Sequence, residues 1–157
     1  MIAAARPYDP QDAPSVSMAD PADALTFLGV ADTGVGVVES VRAGLPTGAI
    51  ERLAGVLDVG QQELLRLAAI APATLTRRRR AMPARLSPQE SDRVYRIAAA
   101  LQDTVRLFDG DQPSARAWLK EPAKALGGQT PLAYLGTEVG AAEVHRLIAR
   151  LELGIYP

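Results

Sequence analysis

The 157-residue sequence contains no cysteine, one histidine and one tryptophan, and aromatic residues make up only 4% of it. Without cysteine the chain has neither disulfides nor thiolate metal ligands, which fits a reducing compartment. The single histidine, His145, lacks the further ligands that a metal site needs and the oriented partner that nucleophilic catalysis needs. We therefore expect no metal site, no cofactor and no nucleophilic catalysis.

Long apolar runs are also absent. No stretch approaches the roughly 18 apolar residues of a membrane span. Residues 1–14 carry one arginine and no apolar run long enough for the central region of a signal peptide. These absences predict a cytoplasmic protein with no membrane partner.

The net charge of −1 conceals a strong partition along the chain. Residues 1–41 carry a net charge of −5, and residues 86–157 carry −1. Between them, residues 42–85 contain eight arginines and three acidic residues, which leaves +5. A basic segment inside an otherwise acidic chain indicates a polyanionic partner such as DNA.

The basic segment includes a stretch, Gln62 to Arg80, that is typical of a helix-turn-helix. Its first half has leucines at helical spacing, and its second half begins at Pro72, which suits a first helical turn. The second helix ends in four arginines, Arg77 to Arg80. A polar, cationic helix that follows a buried one suits the major groove of DNA.

A second register of this motif remains open from the sequence. The segment from Ile50 to Ile70 also fits a helix-turn-helix, because Ile50, Leu53 and Leu57 repeat at helical spacing. In that register Gln61 to Leu67 would contact DNA. We favour the later register, because its reading helix offers hydroxyl and guanidinium groups rather than leucines.

The remaining patterns predict an all-α fold in three parts. Residues 1–19 are rich in proline and polar residues and predict a disordered tail. Residues 20–83 form the helix-turn-helix DNA-binding domain. The sequence Ser87-Pro88-Gln89-Glu90 then forms a capping box that starts a long amphipathic helix in a second domain, residues 86–157. The valines from Val37 to Val41 are also compatible with a strand, although their neighbours favour a helix with Val37, Val38 and Val41 on one side.

Shorter helices follow the long one. A helix from Pro113 to Glu121 contains Trp118, and Thr130-Pro131 starts a brief helix with a cap and a proline. The last helix, about Glu138 to Leu153, places Val144, Leu147, Ile148 and Leu151 on one stripe and stops at Gly154. The exposed aromatic end that follows, Ile155-Tyr156-Pro157, indicates docking on a partner.

Several motifs in this order resemble one family. They are Trp118-Leu119, the run Leu126 to Leu132, the run Leu135 to Gly140, and Val144 with Leu147 to Pro157, preceded by Thr74 to Arg78 and Leu86 to Ser91. Together they resemble the Xre/MbcA/ParS-type antitoxins over about residues 45–157. Two positions depart from the family pattern: Ala69 stands where the turn often has glycine, and Ala71 where a serine or threonine caps the reading helix.

The resemblance implies the antitoxin of a type II toxin-antitoxin system. Its partner would be a RES-domain toxin that depletes NAD, and residues 86–157 would be the toxin-binding domain. The chain would block the toxin sterically with its C-terminal end and, as a homodimer within a hetero-oligomeric complex, repress their shared operon by binding operator DNA. The alternative is a helix-turn-helix transcriptional regulator without a toxin, whose C-terminal half only dimerises.

Candidate contacts follow for both partners. For DNA we expect Thr74, Thr76 and Arg77 near bases or backbone, and Arg78 and Arg80 on phosphates; about four neutralised phosphates per protomer would give a salt slope of roughly −3.6. Trp118 fits the core as well as an interface. The predicted toxin contacts are Trp118, Leu147, Arg150, Leu151, Gly154, Ile155, Tyr156 and Pro157.

Overall fold

The computed structural model describes residues 24, 26–30 and 36–155. The predicted tail, residues 1–19, and the last two residues, Tyr156 and Pro157, lie outside the described part. Residues 36–155 contain eight α-helices, one 3-10 helix and no strand. The α-helices are α1 (Val37–Ala43), α2 (Ala49–Leu57), α3 (Gln61–Leu67), α4 (Pro72–Arg80), α5 (Pro88–Leu107), α6 (Gln112–Lys120), α7 (Pro131–Tyr134) and α8 (Glu138–Glu152), and the 3-10 helix is Lys124–Leu126.

The helix-turn-helix consists of α3 and α4, supported by α2. The predicted stripe of α2, which includes Ile50, Leu53 and Leu57, is buried. In α3 the leucines Leu64 and Leu65 are buried, whereas α4, Pro72–Arg80, buries Leu75 alone. A helix that buries one residue in nine is presented to solvent, so the arrangement favours the later of the two registers.

The turn between α3 and α4 contains both departures from the family pattern. Ala69 has a φ of 50°, in the left-handed region where a Cβ is costly. Ala71 is the N-cap of α4 and provides no side-chain hydrogen bond. The guanidinium of Arg93, on α5, donates to the carbonyl oxygens of Ala68 (2.5 Å) and Ala69 (3.4 Å). The turn is thus held from outside by α5.

Replacing Ala69 with glycine is expected to raise the free energy of unfolding by about 0.5–1 kcal/mol, because it removes a left-handed Cβ at a smaller entropic cost. Chemical denaturation measures the change. The matched control is Ala68→Gly at the preceding residue, which has a φ of −80° and is fully buried. That variant should be less stable than the unsubstituted protein, and a loss of stability at both positions would contradict the argument.

The capping box predicted at the start of α5 is present. The Ser87 side chain accepts from the Glu90 N–H, and a Glu90 carboxylate oxygen accepts from the Ser87 N–H at 2.7 Å. Leu86 donates its N–H to the carbonyl of Leu45, and the buried Ser91 hydroxyl accepts from the Leu45 N–H at 2.8 Å. The segment before α2 is therefore fastened to the start of α5.

Two of the C-terminal helices begin at threonine caps, of which the one at Thr130 was predicted. Thr130 caps α7 and Thr137 caps α8 through side-chain oxygens. Predicted boundaries differ from the observed ones by one residue at each end of α6 and by one at the end of α8. Val144, Leu147 and Ile148 are buried as predicted, and Leu151 is half-buried.

One hydrophobic core runs through both predicted domains. The buried apolar residues, from Ala24 to Ile148, form a single cluster, and α5 packs against α1, α2, α6 and α8. From α6, Arg116 donates to the carbonyl of Val56, and the Lys120 ammonium donates to the carbonyl of Asp58 (3.0 Å) at the end of α2. The boundary between residues 83 and 86 stays a prediction, and packing continues across it.

The helix predicted around the valines is α1, but Val38 does not lie on the same side as Val37 and Val41. Val37 and Val41 are half-buried, whereas Val38 is 56% exposed. Adjacent helical positions are about 100° apart, so Val37 and Val38 cannot both face α5.

Candidate nucleic-acid and protein interfaces

The outward face of α4 is a stripe of exposed residues at helical spacing. Ala73, Thr76, Arg77 and Arg80 are all exposed and stand at positions i, i+3, i+4 and i+7. The side chains of Arg77 and Arg80 form no ion pair or hydrogen bond with a residue that the structure describes. This face thus presents two small side chains and two uncommitted guanidinium groups, a combination that fits the groove and backbone of DNA.

Arg78 lies on the inner side of the same helix and is already bound. Its Nε and Nη2 atoms donate to the two carboxylate oxygens of Glu90 at 3.1 and 3.3 Å. The Arg78 side chain is 33% exposed and the Glu90 side chain 10%. A bidentate pair between a guanidinium and a largely buried carboxylate is among the stronger ionic contacts in proteins.

The carboxylate of Glu90 is held in its ionised form. Burial raises the pKa of Glu90, but the hydrogen bonds from the Ser87 N–H and the Arg78 guanidinium outweigh burial and hold this pKa below its ordinary value. The same carboxylate therefore caps α5 and binds α4. It links the orientation of α4 to the first turn of α5.

Arg79 also has partners within the chain, although in a more exposed setting. Its guanidinium pairs with the carboxylate of Glu51 on α2 and lies 3.5 Å from the side-chain oxygen of Gln61 at the start of α3. Both members of the ion pair are nearly half exposed. Exposed pairs of this kind contribute about 0–1 kcal/mol, so a phosphate group would compete readily for Arg79.

The predicted DNA contacts thus fall into two groups. Thr76, Arg77 and Arg80 lie together on the exposed face of α4. Thr74 is half-buried and Arg78 is paired with Glu90, so both lie away from that face. The sequence did not separate Arg78 from Arg77 and Arg80, because its carboxylate partner, Glu90, is 12 residues away in another helix.

At the other end of the molecule, α8 terminates in a Schellman motif. The Ile155 N–H donates to the carbonyl of Arg150 at 2.9 Å, and the Gly154 N–H donates to that of Leu151 at 3.0 Å. Gly154 has a φ of +70°, which favours glycine. The predicted helix stop is confirmed, and it fixes the direction in which the chain leaves α8.

An exposed apolar end results. Leu153 is 65% exposed and Ile155 55% exposed, with exposed Arg150 beside them on the last turn of α8. Leu153 was not among the predicted contacts, although it lies off the buried stripe of α8 and next to the residue that ends the helix. Single exposed apolar residues are ordinary, but Leu153 and Ile155, which are only two positions apart, offer apolar surface that a partner can cover.

The other predicted toxin contacts are placed differently. Leu147 is 2% exposed and packs in the core. Its predicted direct contact with a toxin is therefore corrected, and its side chain has a packing role. Trp118 is half-buried, with its ring centroid 6.5 Å from that of Phe108. Leu151 is half-buried as well, and Tyr156 and Pro157 lie outside the described residues.

His145 connects α8 to α5. Its Nδ1 lies 2.7 Å from one carboxylate oxygen of Asp103, and the other oxygen of Asp103 accepts from Arg106 at 2.7 Å. These contacts give His145 a structural role. Among the described residues, no cluster of three or more acidic or histidine side chains is suited to hold a metal ion.

Comparison with known proteins covers both halves of the chain. Residues 36–99 match the Antitoxin Xre-like helix-turn-helix domain, and residues 103–154 match the Antitoxin Xre/MbcA/ParS C-terminal toxin-binding domain. The chain belongs to the Xre family of antitoxins. The two matches meet within α5, so this helix is shared by the helix-turn-helix and toxin-binding halves of the family fold.

Individual relatives agree with this assignment. An Antitoxin Xre of Yersinia enterocolitica is 36% identical over 126 residues, which cover 80% of this chain and 84% of the relative. An Antitoxin Xre of Photorhabdus laumondii is 35% identical over 71% of this chain and 75% of its own length. A Prs ADP-ribosylating antitoxin of a Sphingobium species is 30% identical over 74% and 77%.

The longest described helix of this Xre-family chain, α5, has 20 residues. Neither α5 nor any other described helix combines the length and the apolar character that crossing a membrane requires.

Proposed function

We propose that this chain is the cytoplasmic antitoxin of a type II toxin-antitoxin system, that it blocks a RES-domain toxin which degrades NAD, and that it represses its own operon by binding operator DNA. The observation that carries the proposal is the match of both halves of the chain to the family's helix-turn-helix and toxin-binding domains. The chain acts by binding and is not itself an enzyme.

Toxin inhibition is assigned to the C-terminal end of α8. Leu153 and Ile155 offer apolar surface, and Arg150 adds a charge on the same turn. Burial of such residues by a partner is favourable in proportion to the apolar area removed from water. Tyr156 and Pro157 extend this end, which would cover the NAD pocket of the toxin and exclude its substrate.

DNA binding is assigned to the outward face of α4. Thr76 and Arg77 would lie against base edges or the sugar-phosphate backbone, and Arg80 would bind a phosphate. A homodimer would place two copies of α4 one helical turn of DNA apart, so the operator would contain two half-sites in inverted orientation.

The name of one relative raises a second candidate for the reaction that is blocked. The Sphingobium protein is named for the ADP-ribosylation of Prs. A toxin of that kind would use NAD as the donor of an ADP-ribose group rather than hydrolyse it. Total NAD and protein-bound ADP-ribose, measured in the same cells, separate the two reactions, and the C-terminal end of this chain would block either.

The test is co-expression with the product of the adjacent reading frame, with growth and intracellular NAD as readouts. The neighbour alone should stop growth and lower NAD, and the full chain should prevent both. The chain without residues 154–157 should fail to protect. A harmless neighbour that forms no complex would leave the alternative, a helix-turn-helix regulator whose C-terminal half only dimerises.

Point variants make this test independent of truncation. Leu153→Asp places a charge on the apolar end and should weaken toxin binding by about 30-fold, the effect of losing roughly 2 kcal/mol at an interface hot spot. Val139→Asp is the matched control, because Val139 is 73% exposed at the opposite end of the same helix. Equal loss of protection in both variants would contradict the assignment of the site.

A further inference from the structure

The four consecutive arginines of α4 differ in their surroundings, and this difference bears on how the helix binds DNA. Arg77 and Arg80 are exposed and have no described partner, whereas Arg78 is bound by a largely buried carboxylate. Salt dependence counts the cations that actually meet phosphates, because each neutralised phosphate releases condensed counterions. The arginines can therefore be distinguished by experiment.

We infer that Arg78 is a positioning residue which Glu90 withholds from DNA, and that Arg77 and Arg80, which have no described partner, neutralise phosphate. The inference rests on the proposed DNA binding and refines it. Arg78 binds both oxygens of Glu90 at 3.1 and 3.3 Å, and the Glu90 carboxylate also accepts from the Ser87 N–H. Moving Arg78 to a phosphate would break two hydrogen bonds and leave the Glu90 carboxylate, only 10% exposed, without its cation.

The position of Glu90 explains how its pair with Arg78 orients α4. Glu90 is the third residue of α5, and its carboxylate binds both the cap of that helix and the reading helix. The pair therefore fixes the angle at which α4 leaves the body of the protein. A fixed angle favours contacts with one DNA sequence, whereas a free Arg78 would add attraction to any phosphate backbone.

The number of phosphates that each variant neutralises sets the expected change in the salt dependence of binding. One phosphate contact changes the slope of log affinity against log salt by about 0.9. Between about 50 and 200 mM salt this amounts to roughly 3.5-fold in affinity per protomer. Arg77→Ala and Arg80→Ala should each flatten the slope by this amount, and Arg78→Ala should leave it unchanged.

The second readout is the preference for the promoter sequence over a random duplex, measured for variants of Arg78 and Glu90. Arg78→Ala should lower the ratio of affinity for the chain's own promoter fragment to affinity for a random-sequence duplex, and Arg78→Lys should restore part of that ratio. Glu90→Gln retains an oxygen for the Ser87 N–H but removes the charge that holds Arg78. It should steepen the slope for the random duplex by up to about 0.9 per protomer, so that the gain in affinity over the unsubstituted protein is up to roughly 3.5-fold larger at about 50 mM than at about 200 mM salt.

The experiment is a salt titration of the full-length protein and these variants on both duplexes, with Arg77→Ala as the matched control for Arg78→Ala. Flattening by Arg78→Ala as large as that by Arg77→Ala would overturn the inference, since Arg78 would then bind phosphate itself. An unchanged slope and unchanged random-duplex affinity for Glu90→Gln would also overturn it. If the unsubstituted protein binds neither duplex, the proposed DNA binding fails together with the inference.

Discussion

Replacing Gly140 with alanine is expected to lower the free energy of unfolding by about 2 kcal/mol, as overpacking of a close contact does. Gly140 lies in the first turn of α8, where the backbone passes directly over the preceding turn. A Cβ at this position would overlap the carbonyl oxygen of Tyr134 and lie 2.9 Å from the Thr137 hydroxyl that caps the helix. Because the obstructing atom belongs to the backbone, α8 itself has to shift.

The same substitution at Gly55 provides a control of opposite sign. Gly55 lies within α2, is exposed, and has nothing within 4 Å of an added Cβ. Gly55→Ala should raise the free energy of unfolding by about 0.5–1 kcal/mol, because alanine is the better helix former. Denaturant unfolding of both variants measures the two changes. Equal effects at the two positions would show that α8 accommodates the methyl group and that the close approach is unimportant.

Local chemistry in the sequence predicted the elements of the fold. Ser87 and Glu90 specify the start of α5, since a capping box needs only four neighbouring residues. Pro72 specifies the start of α4 for a similar reason. The departures at Ala69 and Ala71 also coincide with real features, a left-handed residue and a helix N-cap without a side-chain bond. These signals depend on short spacings, which a single sequence displays.

Contacts between distant residues were not predictable in this way. Arg78 and Glu90 are 12 residues apart and belong to different helices, so nothing in the spacing distinguishes Arg78 from its neighbours. Leu147 was assigned to an interface because of its place in a family motif, yet helical phase buries it. Identifying the outward faces of α4 and α8 required the relative placement of helices, which tertiary packing determines.

Helix α5 joins the two functional halves physically. Its first turn binds Arg78 of the reading helix through Glu90, and its later turns pack against α8 through contacts that include Asp103 with His145. The two family domains meet within this one helix. A substitution in the core of α5 should therefore lower the stability of both halves.

Replacing Leu101 with alanine is expected to lower the free energy of unfolding by about 2–5 kcal/mol, because the side chain is fully buried and its removal leaves a cavity. The same substitution at Leu153, which is 65% exposed, should change stability by no more than about 0.5 kcal/mol. Denaturant unfolding followed by circular dichroism and by the fluorescence of Trp118 measures both variants.

The Leu101 variant also tests whether the two halves fold as one unit. Leu101 lies within α5 in a core that extends continuously from α2 to α8. If that core is cooperative, circular dichroism and Trp118 fluorescence should report coincident transitions. The amides of α3 and α4 should then lose as much protection from hydrogen exchange as those of α8. Amides of α3 and α4 that kept their original protection while α8 opened would instead mean that the helix-turn-helix folds alone, despite the continuous packing along α5.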